Sequence, residues 1–510
     1  MHLTRVVTLA LHTRKAPSGA FRIFQSFPVV LLLMVAVTRA GAVETGSVCT
    51  PAQNALIPLL ASLPAQSWWL ASRNAFHEVW PAPALRPLNA GRAAQPSRLI
   101  TAWGGFAWDH SRSALWLFGG GHGDYSGNEV YVWRGHDQRW QRASLPSEIQ
   151  RDGNGIDMAI DGVFQAPAAS HSYDNNVYLP LLDRLLSFGG AAYNNGGAWR
   201  RSDDDGTIRR TGPYLFDVSR ADGDKVGGSS GSHVQREPNL SVPAGGQFWQ
   251  NRDSYETPAS GAVTPDNHVN GCTAYAEENG QDVVYVAART GQGTALELFR
   301  YRILDVASRA ADSWQLVGGY WQGPSEQTAC AYDSRRHEFI RNGTASSPFL
   351  HWSLVSPGPE NWQQRLSFSD PVGAFTAALA DKTLRPHECG LDYDSHRDRM
   401  LLWCGGQNVW ALTGPEMDRR PTDELGDTTR AESSNAAIDV TTPAKNANQW
   451  KIGLLPDASH QSPAAQVGHG VLGKWSYAPD LDVYVALQNG REGYVWFYKQ
   501  EDWQAPCEPH

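Results

Sequence analysis

The chain has 510 residues, a formal net charge of -9 at pH 7 and 41% hydrophobic residues. The negative balance argues against a basic surface for nucleic acid, and so high an apolar content argues against a disordered chain. The 49 Gly and 31 Pro favour many turns and short strands, which excludes an all-α fold.

The first 42 residues have the pattern of an export signal. Basic residues at positions 14, 15 and 22 precede an apolar run over 27–37, and Ala40-Gly41-Ala42 follows as a small-x-small cleavage pattern. The run is shorter than the roughly 20 residues of a membrane helix. We therefore predict a signal peptide over 1–42, a mature chain beginning near Val43, and a secreted or periplasmic protein without a membrane segment. The charged stretch before the run is unusually long, so a later translation start and an uncleaved anchor are the alternatives.

One sequence motif recurs six times along the chain. It comprises a small or polar strand, an aromatic residue often followed by Asp, a few turn residues, an apolar strand and often Gly-Gly. A third strand and a Trp near the expected fourth strand commonly follow. Such units bury both faces only by stacking radially, with bulky side chains between neighbouring sheets. The repeated first strands are expected at 105–109, 171–174, 272–275, 330–333, 391–394 and 474–477.

The prediction is an all-β propeller of six four-stranded blades. The longest interval between repeats, from 174 to 276, holds either a seventh blade or a long loop. Gly-Gly follows the second strand at 119–120, 189–190 and 405–406, with a Trp further on, and this pattern resembles the kelch repeat of galactose-oxidase-like propellers. The resemblance covers roughly 98–503 and implies the fold more than the function.

The last blade of kelch-type rings usually takes a strand from the other terminus. The final repeat here has three clear strands before Trp503, and the segment 67–70 could supply the fourth. We therefore assign 43–97 to an N-terminal segment that completes the last blade, and 98–510 to the propeller.

The number of cysteines is even, which in an oxidising compartment favours disulfides. A bridge between Cys49 and Cys507 would close a ring, and Cys389 and Cys404 could face each other across one hairpin. A zinc site is disfavoured because no Cys-x-x-Cys pair occurs. The candidates for disulfides are Cys49, Cys272, Cys330, Cys389, Cys404 and Cys507.

The Gly-rich stretch 119–129 is the first candidate site, because its glycines let the turn present side chains that an ordinary hairpin would not. It carries His122, Asp124 and Tyr125, with Asn128 and Glu129 at its end. The structural alternative is that Asp124 and Asn128 satisfy loop amides while Tyr125 packs on a neighbouring blade.

The second candidate site is His171 with Tyr173, where the strand nearest the ring axis is expected. Other repeats place polar groups at similar offsets, so these groups should converge on one mouth of the channel. For any one of them, the alternative is a hydrogen-bonded inner-strand residue. The further candidates are Arg98, Asn270, Glu326, Gln327, Arg385, His387, Glu388 and Lys474.

These residue types suit eliminative cleavage of a uronic-acid polysaccharide, which needs a base, an acid and a group that neutralises the carboxylate. The chain is similar in type to propeller-fold polysaccharide lyases, including ulvan lyases and rhamnose-glucuronate lyases, which use His and Tyr in this way. That likeness implies His122 or His171 as base, Tyr125 or Tyr173 as acid and Arg385 as neutraliser.

Three rival functions were weighed. A copper radical oxidase is disfavoured because no Tyr-His dipeptide occurs. Glycoside hydrolysis needs two carboxylates, for which Asp124, Glu129, Glu326 and Glu388 are candidates. A non-catalytic kelch-like propeller that binds glycan or protein is the third. We expect a monomer whose partner is an acidic polysaccharide or oligosaccharide. No cofactor is predicted and a structural cation stays open, although the run 203–205 fits a solvated turn better than a calcium loop.

Overall fold

The computed structural model describes residues 48–509, apart from 90–91, 94, 194, 230–243, 257, 259–260, 291–294, 321–326 and 417–448. The predicted signal peptide, Val43, Glu326 and part of the 174–276 interval therefore lie outside the described residues. Within them, six sheets of four or five strands form a propeller ring. No helix in this part of the chain is long and apolar enough to cross a membrane.

Each blade has four antiparallel strands that follow one another outward from the hub in chain order, except for the last strand of blade 6. Blade 1 comprises Gly105–Asp109, Ala114–Phe118, Tyr131–Arg134 and Arg139–Arg142. Blade 2 comprises Asn176–Leu179, Arg184–Ser187, Tyr214–Asp217 and Trp249–Asn251. Blade 3 comprises Asn267–Glu278, Gln281–Arg289, Leu296–Ile303 and Asp312–Gly319.

The other three blades follow the same plan. Blade 4 comprises Cys330–Asp333, Glu338–Thr344, Ser347–Ser353 and Gln364–Arg365. Blade 5 comprises Gly390–Asp394, Arg399–Trp403, Val409–Thr413 and Trp450–Leu454. Blade 6 comprises Trp475–Ala478, Val483–Gln488, Tyr494–Lys499 and, from the N-terminal segment, Ser67–Leu70.

Short elements decorate the ring. Blades 3 and 5 each have a fifth strand, which pairs in parallel with the fourth. It is Gly358–Trp362 in blade 3 and Phe368–Ser369 in blade 5. The α-helices are Pro51–Ser62, Arg98–Thr101 and Ala374–Ala380. Two-stranded hairpins are formed by Leu88–Asn89 with Arg92–Ala93, by Ile149–Arg151 with Asp157–Ala159, and by Arg200–Ser202 with Ile208–Arg210.

The apolar core lies between neighbouring blades rather than in one central mass. Side chains alternate along a strand, so Leu115 and Leu117 pack toward blade 6 while Trp116 and Phe118 pack toward blade 2. Every pair of neighbouring blades shares such a cluster, and that between blades 6 and 1 closes the ring. This two-sided burial is why the second strands read as continuous apolar runs.

The two termini meet in blade 6. Ser67–Leu70 pairs antiparallel with Tyr494–Lys499, and the Trp68 ring lies 5.4 Å from that of Trp403 in blade 5. The predicted disulfides Cys49–Cys507 and Cys389–Cys404 are present, the second across the first two strands of blade 5. The remaining bridge, Cys272–Cys330, joins the first strands of blades 3 and 4 at the hub. All six cysteines are therefore paired.

The recurring Asp and Arg tie neighbouring blades together. In blade 5, Asp394 accepts the N–H groups of His396 and Arg397 in its own turn. The Arg397 guanidinium then donates to Asp394 and, at 2.7 and 2.8 Å, to Asp482 of blade 6. The same arrangement links Asp109, Arg112 and Asp183 between blades 1 and 2, and Asp333, Arg336 and Asp398 between blades 4 and 5.

The second repeat was predicted in the wrong register. The first strand of blade 2 is Asn176–Leu179, so the repeated aromatic is Tyr178 and not Tyr173. The long interval 174–276 is occupied by the four strands of blade 2 and the loops between them. The described residues contain no sheet that would form a seventh blade. Residues 171–174 match the aromatic-Asp motif of a first strand, but they form hydrogen bonds at the hub instead of a strand of blade 2.

The upper end of the central channel is the end at which the first strands begin. Residues 173–174, which we call the plug, span this end. Tyr173 N–H donates to the carbonyl of Trp103 (2.7 Å), and Gly473 N–H donates to the carbonyl of Tyr173 (3.2 Å). Thr273 N–H donates to the Asp174 carbonyl (2.8 Å), and Cys330 N–H donates to the Asp174 carboxyl (3.0 Å). Hydrogen bonds to the inner ends of several blades thus hold this segment across the axis instead of along it.

Candidate functional site

The upper face of the ring, where the first strands begin, carries two Gly-His-Gly turns. In 121–123 the two glycines have φ of 89° and 80°, and in 468–470 they have φ of 55° and 94°. Positive φ favours glycine, so each turn can bring its histidine out of the loop. His122 and His469 are both exposed as a result.

A buried imidazole lies between these turns. His171 is 2% exposed, and its Nε2 lies 3.1 Å from Oδ2 of Asp124, which is 23% exposed. Burial lowers the pKa of His171 to about 4, although the neighbouring Asp124 opposes this. His171 is therefore neutral near pH 7, and Asp124 fixes its orientation. Arg98, 47% exposed, lies 3.7 Å from the other oxygen of Asp124.

Aromatic contacts join the three histidines into a row. The Trp103 ring stacks on His469 at 3.9 Å and 6°, and its centroid lies 4.8 Å from that of His171. The His122 ring lies 5.7 Å from His171, edge to face. We call this row, together with Asp124 and Arg98, the upper site.

The backbone of the upper site is close-packed and strained. Trp103 and His122 have φ of 48° and 33°, a region that L-residues rarely adopt and that clusters at functional sites. A Cβ on Gly121 would lie 2.5 Å from the nitrogen of His171, and one on Gly196 would lie 2.5 Å from the His122 ring. Positions 121 and 196 therefore require glycine, because each combines a positive φ with a close approach to a histidine.

Three predicted residues of the Gly-rich stretch lie in the interior. The Tyr125 hydroxyl donates to Glu129 at 2.6 Å, Tyr131 donates to the same oxygen at 2.9 Å, and all three residues are buried. Burial raises the pKa of Glu129. Asn128 donates to the carbonyl of Pro167. Tyr125 is thus a core residue and not an accessible acid. Asn128 also accepts the N–H of Ser147, as the structural alternative for this residue predicts.

Tyr173 and Lys474 hold the hub rather than face the solvent. Tyr173 is 5% exposed, and burial raises its pKa to about 12. Lys474 is fully buried and donates to the carbonyl of Gly104 at 2.9 Å, and burial lowers its pKa to about 7. Lys474 thus links the start of blade 6 to the residue before the first strand of blade 1.

The remaining candidates lie outside the row of histidines. Arg385 is exposed and lies 3.1 Å from Glu388, with His387 between them in the turn Pro386–Glu388. The carbonyl of Glu388 accepts the N–H of Val471, two residues after His469. Asn270 and Gln327 are half-buried at the inner ends of blades 3 and 4.

Sequence reasoning missed Trp103 and His469. A signal for His469 was available, because the tripeptide Gly-His-Gly occurs at both 121–123 and 468–470. Trp103 carries no such signal, since its role depends on which rings stack against it. Within the described ranges, no three His, Cys, Asp or Glu side chains are grouped to hold a metal ion. Asp203, in the run considered for calcium, pairs with Arg201 and Arg209.

No protein-family profile matches the chain, and no curated protein is significantly similar to it. Similar solved structures include the Dos1 propeller, at 9% identity over 84% of this chain and 82% of that one, with a TM-score of 0.31. Another is PorZ, an essential bacterial surface component of the type-IX secretion system of Porphyromonas gingivalis, at 9% identity and a TM-score of 0.32. That match covers 77% of this chain and 46% of PorZ.

The class of this protein follows from its own strand pairing. The described residues form a six-bladed β-propeller with three disulfides and a histidine-rich site at the upper end of its hub.

Proposed function

We propose that this protein is an exported, carbohydrate-active propeller that cleaves a uronic-acid-containing glycan by β-elimination at the upper site. The observation that carries the proposal is the row of His122, His171, Trp103 and His469, with the exposed guanidinium of Arg98 beside it. Elimination needs a base, an acid and a carboxylate-binding cation, and this row holds all three types within one small area.

The exposure of each group assigns its role. His122 is exposed and can take the proton next to the substrate carboxylate, while Arg98 binds that carboxylate. His469, exposed at the other end of the row, returns a proton to the leaving glycosidic oxygen as the carbon–oxygen bond breaks and the double bond forms. His171 and Asp124 position the row, because His171 is almost inaccessible. Arg385, the neutraliser predicted from sequence, lies outside the row and extends the acidic-sugar surface.

Export and the kelch-type relationship belong to the same proposal. Three disulfides support an oxidising compartment such as the periplasm or the cell exterior. Glycines with positive φ at positions 120, 189 and 405, after the second strands of three blades, support the kelch comparison.

A second candidate function is glycan binding without chemistry. The low exposure of His171 favours it, because a buried imidazole held by a carboxylate can serve packing alone. Glycoside hydrolysis is less well supported, because Glu129 is buried in the core.

The test is to incubate the purified mature protein with a panel of uronic-acid polysaccharides and to follow the ultraviolet absorbance of the unsaturated product. We expect absorbance to rise with at least one substrate, and His122→Ala to slow the reaction by about 100-fold or more. The matched control is His136→Ala, at an exposed histidine on the opposite side of blade 1, which should keep full activity. New reducing ends without absorbance would indicate a hydrolase, and binding without either product would indicate the binding module.

A further inference from the structure

A cavity lies below the plug, on the opposite side from the upper site. Its volume is about 550 Å³, and the first strands of all six blades line it. Asp174 and Asp392 lie along its wall near the hub, and the exposed residues Glu277, Ser334 and Ser395 mark its mouth on the lower face. The volume suits a small organic ligand.

An aromatic collar surrounds this cavity. Each blade contributes one aromatic side chain from the repeated position before the first hairpin, and these six residues define the collar: Trp108, Tyr178, Tyr275, Tyr332, Tyr393 and Tyr477. The sequence repeat therefore places six rings around one axis.

The polar atoms of the collar are already engaged. Tyr178, Tyr393 and Tyr477 each donate to an Asp of their own blade at 2.8 Å, and Tyr275 donates to Asp282 at 3.0 Å. The Trp108 ring nitrogen donates to Asp480 at 2.8 Å, and Tyr332 shares a hydrogen bond with His337. The polar atoms of the collar are thus not free for a ligand. Trp108, Tyr178, Tyr393 and Tyr477 are buried in the clusters between blades, whereas Tyr275 and Tyr332 are half-buried and leave part of their ring surface to the cavity.

The charge of the lining is one-sided. Asp174, Asp392, Glu277 and Glu278 line the cavity, and none of the described lining residues is Lys or Arg. Glu278 is paired with Arg300 outside the lining, so the other three carboxyl groups carry the argument. His110 and His337 also line it, and burial lowers the pKa of His110, which keeps that ring neutral.

The two inner carboxyl groups lack a cation in the cavity wall. Burial raises the pKa of Asp392 to about 6 and raises that of Asp174 as well, which favours the protonated form of each carboxyl group. A cation bound beside them would favour the carboxylate form again. Lys474 lies behind the wall with its amino group on the carbonyl of Gly104, and it is not a lining residue.

We propose that this cavity binds an organic ammonium ion. The half-buried rings of Tyr275 and Tyr332 contact the cationic head, because aromatic rings attract a cation, and Asp174 and Asp392 supply the opposite charge. A neutral sugar would find few hydroxyl groups available on the collar. The inference is independent of the proposed lyase function, because the plug separates the cavity from the upper site.

The first test uses the unmodified protein and calorimetric titration with tetramethylammonium, choline and benzyltrimethylammonium. The control ligand is 3,3-dimethylbutan-1-ol, which has the shape of choline without its charge. We expect at least one ammonium ion to bind and the neutral alcohol to bind about tenfold more weakly or not at all. Equal affinity for choline and the alcohol, or no binding of any ammonium ion up to about 10 mM, would overturn the proposal.

The second test locates the site with a matched pair of variants. Tyr332→Leu removes one ring of the collar and should weaken binding of the ammonium ion about tenfold, whereas Tyr332→Phe keeps the ring and should retain affinity. Circular dichroism establishes that both variants are folded. Unchanged affinity in a folded Tyr332→Leu variant would overturn the proposal, and the comparison of charged and neutral ligands stands whether or not that variant folds.

Discussion

At the scale of single residues, His171 shows how burial decides protonation. Its imidazole is almost fully removed from water, and Asp124 is its charged partner at 3.1 Å. Desolvation outweighs that partner and lowers the pKa from the ordinary value of 6.5 to about 4. The folded state therefore resists protonation of this residue more than the unfolded state does.

This difference predicts a pH dependence of stability. As the pH falls, the unfolded state takes up the proton first, near 6.5, so the contribution of His171 is full above that value and is lost as the pH falls through about 4. The unsubstituted protein loses unfolding free energy between pH 7 and pH 4, and we expect His171→Asn to make this loss smaller by about 3 kcal/mol. Urea unfolding at both pH values measures it.

The control for this prediction is His136→Asn, a substitution at an exposed histidine, which should keep the pH dependence of the unsubstituted protein. If His171→Asn instead left the pH dependence intact, burial would not be setting the protonation of this histidine.

At the scale of the structural element, the first hairpin of a blade is also its link to the next blade. Arg397 joins the turn of blade 5 to Asp482 of blade 6, and its side chain is 6% exposed. Arg112 makes the same link from blade 1 to blade 2 with a side chain that is 36% exposed. Because a charge left without its partner costs more where water is excluded, the two links should differ in strength.

The corresponding prediction compares two substitutions of the same kind. Arg397→Ala should lower the free energy of unfolding by about 3 kcal/mol, since it removes the guanidinium that balances the charges of Asp394 and Asp482 in a buried position. Arg112→Ala should lower it by about 1 kcal/mol, because water reaches that link. Guanidinium unfolding curves provide the values, and an equal loss in both variants would contradict the role of burial.

At the scale of the whole molecule, the ring is closed in two ways. The strand Ser67–Leu70 completes blade 6, and the disulfide Cys49–Cys507 joins residues separated by 458 positions. The bridge Cys389–Cys404 spans only 15 positions within one blade. A longer covalent loop restricts the unfolded chain more, so the terminal bridge should contribute more to stability.

Replacing both cysteines of each bridge with serine tests this. The chain-entropy relation gives a loss of about 6 kcal/mol for the terminal pair and about 3 kcal/mol for the pair in blade 5. Thermal unfolding should therefore show the larger fall in midpoint for the Cys49/Cys507 variant. A larger fall for the Cys389/Cys404 variant would show that local strain or packing, rather than chain closure, dominates.

Much of the fold could be predicted because propeller blades are encoded locally. Apolar second strands such as 114–118, the turn residues that follow each first strand, and Gly-Gly after the second strand all lie within a short stretch of sequence. The predicted register of blade 2 was wrong because residues 171–174 carry the same aromatic-Asp motif as a true first strand. Only hydrogen bonds to other blades distinguish the plug from a strand.

The candidate site was only partly predictable. His122, Asp124 and His171 were expected, whereas Tyr125 was chosen from the same Gly-rich stretch and lies in the core. A turn rich in glycine shows that side chains can leave the loop, but it does not show which of them point inward.

The sequence by itself determined that the chain forms radial four-stranded sheets, because the apolar strands and the turns between them act over a few residues. Only the tertiary structure decided that His171 and His469 flank Trp103, that residues 173–174 cross the channel, and that six aromatic rings surround the cavity below the plug. The physical reason is that these arrangements depend on which blades meet at the hub, and ring closure brings together residues that no local pattern relates.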